Sequence, residues 1–187
     1  EAEGSGLTVE RYPTDCQGLF IADRAGTMVP ALADVRVRQA INLAIDKDLI
    51  LENLNHGEGE VTSQTFNALS EAFVPDLDSA YEFDLDEAKS LMKEAGFEDG
   101  FAVTMPDLAQ YPQVAPIVAQ QLGAIGITVT FEKVAADAAV SSLLSGKYPM
   151  FWFSLGSQGA WQDLRKFAFT ASPWNTAHVA DPEMDAM

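Results

Sequence analysis

Cysteine is almost missing from this 187-residue chain, and Cys16 is the single example. One thiol excludes an internal disulfide framework and any cysteine-based zinc site. Histidine is nearly as scarce, since His56 and His178 are the only two and neither has a partner at ligand spacing. No metal and no cofactor are therefore expected. Long apolar runs are absent as well. Met150 to Phe153 is typical in length, far below the ~20 residues a bilayer crossing needs. Positive charge is in short supply, with 11 Lys and Arg against 28 Asp and Glu, a formal net charge of −17. Nucleic-acid binding relies on clustered Lys and Arg, so that class is disfavoured, and anionic membrane surfaces with it.

The apolar types amount to 48% of the chain, too many for disorder, and the length allows a sizeable core. The middle of the chain repeats a pattern of helix, glycine and strand. Asp84 with Glu87 has the spacing of a capping box, and Ala88, Leu91, Met92 and Ala95 follow at helical intervals. Gly96 stops that helix, and Phe101 to Met105 reads as a strand. Val114, Ile117, Val118, Leu122 and Ile125 line the next helix, Gly126 ends it, and Ile127 to Phe131 alternates as a strand. Val140, Leu143 and Leu144 form a third stripe, closed by Gly146. Met150 to Leu155 follows, a strand apolar enough to be buried on both faces.

Upstream, Gly18 to Ala22 reads as another strand, Asp34 caps a helix, and Asp46 restarts or bends it. The fold class is thus α/β, with a mixed, mostly parallel sheet covered by helices. Residues 57–81 lack this rhythm, with Gly57, Gly59 and Pro75 among polar types. They read as an irregular excursion over the surface and a candidate ligand-facing wall. The chain opens without Met, and Asp181-Pro182-Glu183 is a helix opening about one turn from the last residue. A piece of a longer protein is the expectation.

Catalysis has one candidate constellation. Ser157, Asp163 and His178 occur in the order that α/β-hydrolases use, after an apolar strand. Position 155 is Leu, however, where the nucleophile elbow wants glycine. A polar turn after a strand is the plainer reading. A third class, a protein-binding module acting through an acidic face, rests on charge alone. The aromatic cluster is more informative. Phe151 and Phe153 suit a core, whereas Trp161 and Trp174 lie in Gly-, Ser- and Pro-containing stretches that suit cleft walls. Ligands of open α/β sheets bind beyond the carboxyl ends of the strands. Ser154 to Asp163 is the leading contact segment, with Ser154, Gln158, Trp161, Asp163 and Trp174 as candidate ligand-binding residues.

Residues 30–47, containing Asp34-Val35-Arg36-Val37-Arg38-Gln39-Ala40-Ile41-Asn42-Leu43-Ala44-Ile45-Asp46-Lys47, resemble a signature of extracellular solute-binding proteins of family 5, the peptide and nickel class. Phe83-Asp84 through Ala95-Gly96-Phe97, Gln120 through Val129, Ser145-Gly146-Lys147-Tyr148 and Asp181 through Asp185 are similar to further marks of that family, in family order. The resemblance implies one lobe of a type II periplasmic-binding-protein clamp. Residues 1–17 would be hinge-proximal and residues 18–187 the C-terminal lobe. It also implies a non-enzymatic role, a peptide or small-molecule solute, an ABC transporter permease as partner, and an extracytoplasmic location in the periplasm or on a cell-surface lipoprotein. Arg36 and Arg38 would anchor a helix start and not touch solute. Peptide-binding members carry Trp-x-x-Asp after the buried strand, and the Asp takes the peptide's α-amino group. An ungapped count from Tyr148 puts Gln158 at the Asp position and Leu155 at the Trp position; a gapped one brings in Trp161 and Asp163. The first strand departs from the family too, ending in Ile21-Ala22-Asp23 where a Phe-Asn pair is usual.

Overall fold

The computed structural model describes residues 14–187 together with Gly4, Gly6, Thr8 and Tyr12. Most of the hinge-proximal segment lies outside the described residues. The boundary drawn between 17 and 18 falls inside the first strand, β1 (Asp15–Ile21).

Three helices in the first hundred residues open on an aspartate. The side chains of Asp34, Asp46 and Asp84 accept the backbone N–H of Arg36, Leu49 and Glu87, and so start α1 (Val35–Ala44), α2 (Lys47–Asn55) and α3 (Leu85–Glu94). Each cap satisfies an orphan donor and contributes about 1 kcal/mol. Asp46 therefore separates two helices. Arg36 clamps Asp34 and also donates to Glu94 O at 2.8 Å, tying the start of α1 to the end of α3. Arg38 donates to Leu32 O and Ala33 O. Both arginines anchor the helix start, as expected.

The three expected strands of the middle of the chain form, and each runs past its expected end, the last by one residue. They are β2 (Phe101–Leu108), β3 (Ile127–Val134) and β4 (Met150–Gly156), alternating with α4 (Val114–Gly123) and α5 (Ala139–Leu144). β2 and β3 pair in parallel from Phe101↔Ile127 to Leu108↔Val134. Their starts approach so closely that a Cβ on Gly100 would lie 1.8 Å from Gly126 O, and both glycines have positive φ. β1 and β4 pair antiparallel, from Asp15↔Gly156 to Ile21↔Met150. The described strands are therefore split evenly between a parallel and an antiparallel ladder. A strand–helix–strand rhythm fixes the direction of consecutive strands only, and β1 reaches β4 from the far end of the chain. β2 packs beside β4 without a ladder between them, and Pro106 within β2 has no N–H to offer one.

β4 is buried on both faces, as its sequence suggested. Met150 and Trp152 join a core with Ile41, Val103 and Leu122, while Phe151, Phe153 and Leu155 join a second with Leu108 and Leu143. Removing each such side chain from water contributes roughly 1.5–3 kcal/mol. Residues 57–81 carry no regular element beyond a single 3-10 turn, Pro75–Leu77. After β4 come α6 (Ala160–Ala168) and the short α7 (Pro182–Asp185), whose cap Asp181 accepts from Glu183 N and Met184 N.

Candidate functional site

A cavity of about 480 Å³ opens where β1, α1, α2 and the 57–81 excursion meet. Cross-strand partners share a face of a ladder. Leu19 and Trp152 therefore lie on one side with Gln17, Ser154 and Asp15. Leu19, Ile41, Ile45, Ile50, Phe73 and Trp152 give the cavity an apolar floor. Polar groups surround it, among them Gln17, Asn42, Asn55 and Asn67. Lys47 also lines it, but its ammonium donates to Tyr81 O at 2.6 Å and Asn42 O at 3.3 Å. Burial pushes the Lys47 pKa below its ordinary value.

The excursion is stitched by polar groups. Thr62 Oγ1 donates to Asp78 Oδ1 at 2.7 Å, and Ser63 N to Asp78 O. The Gln64 amide donates to Val74 O and accepts from Val74 N, and Tyr81 N donates to Ser63 Oγ. Of this excursion, Val61, Thr62, Ser63, Asn67, Phe73 and Asp78 line the cavity.

The segment between β4 and α6 is shaped by Asp163, which is buried at 4% exposure. Its Oδ2 accepts the Ser157 hydroxyl at 2.6 Å, and its Oδ1 accepts Gln158 N at 3.0 Å and Lys166 Nζ at 3.2 Å. Lys166 also donates to Gly156 O. Burial alone would raise the Asp163 pKa, but the donors from Ser157, Gln158 and Lys166 hold it below the ordinary carboxylate range. Gly159, at φ 106°, starts α6 in a conformation that favours glycine. This arrangement leaves the Gln158 side chain exposed. Cys16 is half-buried, and burial first, then the Asp163 charge, raises its pKa.

The five candidate residues thus occupy different settings. Ser154 is held by N–H donation to Tyr111 Oη and by its hydroxyl on Asp15. Gln158 and Trp161 face outward, Trp161 at 41% exposure with its ring edge-on to Phe169. Asp163, in the first turn of α6, is engaged by Ser157 and Gln158 of the preceding loop and by Lys166 of its own helix. Trp174 stacks on Phe153 at 5.4 Å and closes the second core. Of the 154–163 segment, Ser157 alone lines the cavity. Sequence reasoning missed Thr14 to Leu19 as wall residues. The signal available was their alternation, Asp15, Gln17 and Leu19 on one face.

The hydrolase reading does not survive this geometry. Ser157 donates to Asp163 directly, so no imidazole stands between acid and hydroxyl. His178 is exposed in a turn at φ 49°, with its N–H on Asn175 O, and no hydrogen bond joins it to Ser157 among the described residues. Nor do the described residues bring together three groups that could hold a metal ion. Asp23, the departure at the end of β1, organises a turn. It accepts from Thr27 N, Thr27 Oγ1, Met28 N and Val29 N at 2.7–2.8 Å.

The described residues form an α/β lobe with an open cavity on its flank, and the polar groups of the loop after β4 bond to one another. The chain belongs to the bacterial extracellular solute-binding proteins, family 5; the model that matches, described as family 5 Middle, covers residues 3–175. It is 31% identical over 120 residues to the dipeptide-binding protein of Escherichia coli K12, covering 63% of this chain and 21% of that one. It is 29% identical over 126 residues to the oligopeptide-binding protein AppA of Bacillus subtilis 168, covering 59% and 23%. Among solved structures, HbpA2 of Haemophilus parasuis superposes with a TM-score of 0.83 at 24% identity over 95% of this chain and 36% of that one. The Helicobacter pylori periplasmic binding protein DppA, in complex with peptide STSA, gives 0.75 at 24% over 92% and 34%. These two structural likenesses confirm the lobe's fold. The chain spans about a fifth of the curated relatives it matches and about a third of those solved structures.

Proposed function

We propose that this chain is the C-terminal lobe of the solute-binding component of an ABC importer, residues 18–187 forming one jaw and residues 1–17 leading to the hinge. The solute is a peptide or a related small molecule, captured by closure of two lobes and delivered to a membrane permease. The location is extracytoplasmic. The observation that carries this reading is the open 480 Å³ cavity on a lobe of this family. A jaw that holds half of a cleft presents such a concavity to its partner lobe. Gln158 and Trp161 supply outward amide and aromatic contacts, Ser154 supports them from β4, and Asp163 and Trp174 hold the loop and strand beneath them. Closure follows from differential contacts, because solute touches both lobes only in the closed state.

Calorimetry with a panel of di- to pentapeptides tests this. A polypeptide carrying both lobes is expected to bind a subset of the panel, and this chain alone at least 100-fold more weakly. Equal, tight binding by this chain alone would contradict the clamp.

A further inference from the structure

Residues 60–81 wall the cavity with little to hold them in place. Neither apolar core draws a residue from them, and not one of them is buried. Their hydrogen bonds run among themselves, with one exception among the described residues, the bond from Lys47 Nζ to Tyr81 O at 2.6 Å. Lys47 is an unfavourable place for a charge. It holds the first position of α2, where the helix dipole opposes a cation, and burial disfavours its ammonium further. Two carbonyl oxygens offset this, Tyr81 O from the segment and Asn42 O from the last turn of α1. From Tyr81 a series of bonds crosses the base of the segment. Tyr81 N donates to Ser63 Oγ at 3.0 Å, Ser63 N to Asp78 O at 2.9 Å, and Thr62 Oγ1 to Asp78 Oδ1 at 2.7 Å. The other root is of a different kind. His56, Gly57 and Gly59 have φ of 54°, 74° and 129°, and all of them are exposed. A segment with no buried residue and one tie to its neighbours opens far more readily than the core beside it.

We infer that residues 60–81 are a strap that leaves the cavity as one body, turning on the glycine root at 57–59 and latched by the Lys47 ammonium on Tyr81 O. While the latch holds, Tyr81 keeps Ser63, and through it Asp78, against the lobe. When it parts, the stitched segment moves off with the Thr62, Ser63, Asn67 and Phe73 share of the wall, and the cavity opens on that side. This motion lies inside one lobe, separate from closure between two lobes, and it stands whatever the solute is.

Hydrogen exchange, read at single amides in the polypeptide carrying both lobes and without solute, tests the strap. The Val74 and Asp78 amides bond within the segment, to Gln64 Oε1 and Pro75 O, so they report its opening. Lys47→Met keeps the apolar stem and removes the donor. It is expected to speed exchange at Val74 and Asp78 by one common factor of about tenfold, while Val118 and Phe151, at 0% exposure in the two cores, keep parent rates. Ser63→Ala cuts the next link without touching α2 and is expected to do the same. Because the links act in series, the double variant should exchange like either single one, whereas independent bonds would multiply the two factors. Parent rates at Val74 and Asp78 in either single variant, unequal factors at the two amides, or a multiplied factor in the double variant would each overturn the strap. If Lys47→Met also speeds Val118 and Phe151, the lysine holds the whole lobe, and Ser63→Ala alone decides. Val74 and Asp78 accelerated together then support the strap, and acceleration at Tyr81 only overturns it.

Discussion

The stretch from α3 to β4 and the excursion before it are built on opposite principles. From Ala88 to Leu155 the chain contributes most of both cores, with Met92, Leu122, Ile127, Leu143 and Phe151 at 0–1% exposure. From residue 57 to residue 83 not one residue is buried. The first region is held by apolar area removed from water, the second by side chains that substitute for a ladder. Gln64 imitates a strand toward Val74, and Thr62 and Asp78 close a second loop. Leu69 and Leu77 sit outward at 70% and 51% exposure. Local opening of the second kind of construction disturbs little of the core.

The sharpest break between the regions is a matched pair of truncations. Leu122→Ala empties a site at 0% exposure and is expected to cost about 3 kcal/mol of unfolding free energy. Leu77→Ala removes the same atoms from a surface position and is expected to cost under about 0.5 kcal/mol. Denaturant midpoints at constant slope measure both. Similar losses would mean that the excursion is part of the cooperative core.

A smaller effect separates buried carboxylates from surface ones. Burial alone would raise the Asp23 pKa, but N–H and O–H donors from Val29, Thr27 and Met28 hold it below the ordinary range. Asp163 behaves alike. A depressed carboxylate pKa stabilises the fold above the unfolded value near 4, and that contribution is lost as pH falls through the native value. Asp23→Asn is therefore expected to lower Tm by about 4 °C at pH 7, with the gap to the parent closing as pH falls below the ordinary carboxylate range. A pH-independent gap would show that the charge on Asp23 is irrelevant to its turn.

The same contrast decides what the sequence reveals. Caps and stops are local, so Asp34, Asp46, Asp84, Gly96 and Gly126 could be read directly, and an apolar run such as Met150 to Leu155 announced burial on two faces. The α/β lobe follows from these. The pairing of β1 with β4 joins Asp15 to Gly156, and no local signal sets its direction. The cavity draws on residues from Thr14 to Ser157, so its floor was invisible while its 57–81 wall was visible only as a failure of rhythm. Asp163 shows the remaining limit. A carboxylate a few residues after a buried strand has the composition of a ligand contact, and only the positions of Ser157, Gln158 and Lys166 show that its lone pairs are taken from within.

The smallest expected effect probes the excursion itself. Val74 N donates to Gln64 Oε1 at 3.0 Å, and Gln64 Nε2 returns a bond to Val74 O at 2.9 Å. Gln64→Ala removes both partners at an exposed site, where water replaces them. Global Tm is expected to move by less than about 1 °C, while hydrogen exchange at the Val74 amide accelerates about tenfold. Gln64→Glu keeps an acceptor for the Val74 N–H and loses the donor to Val74 O, so it should restore amide protection in large part. If neither variant speeds exchange at the Val74 amide, the Gln64 side chain does not hold this turn, and the division between an apolar core and a hydrogen-bonded wall would have to be redrawn at this residue.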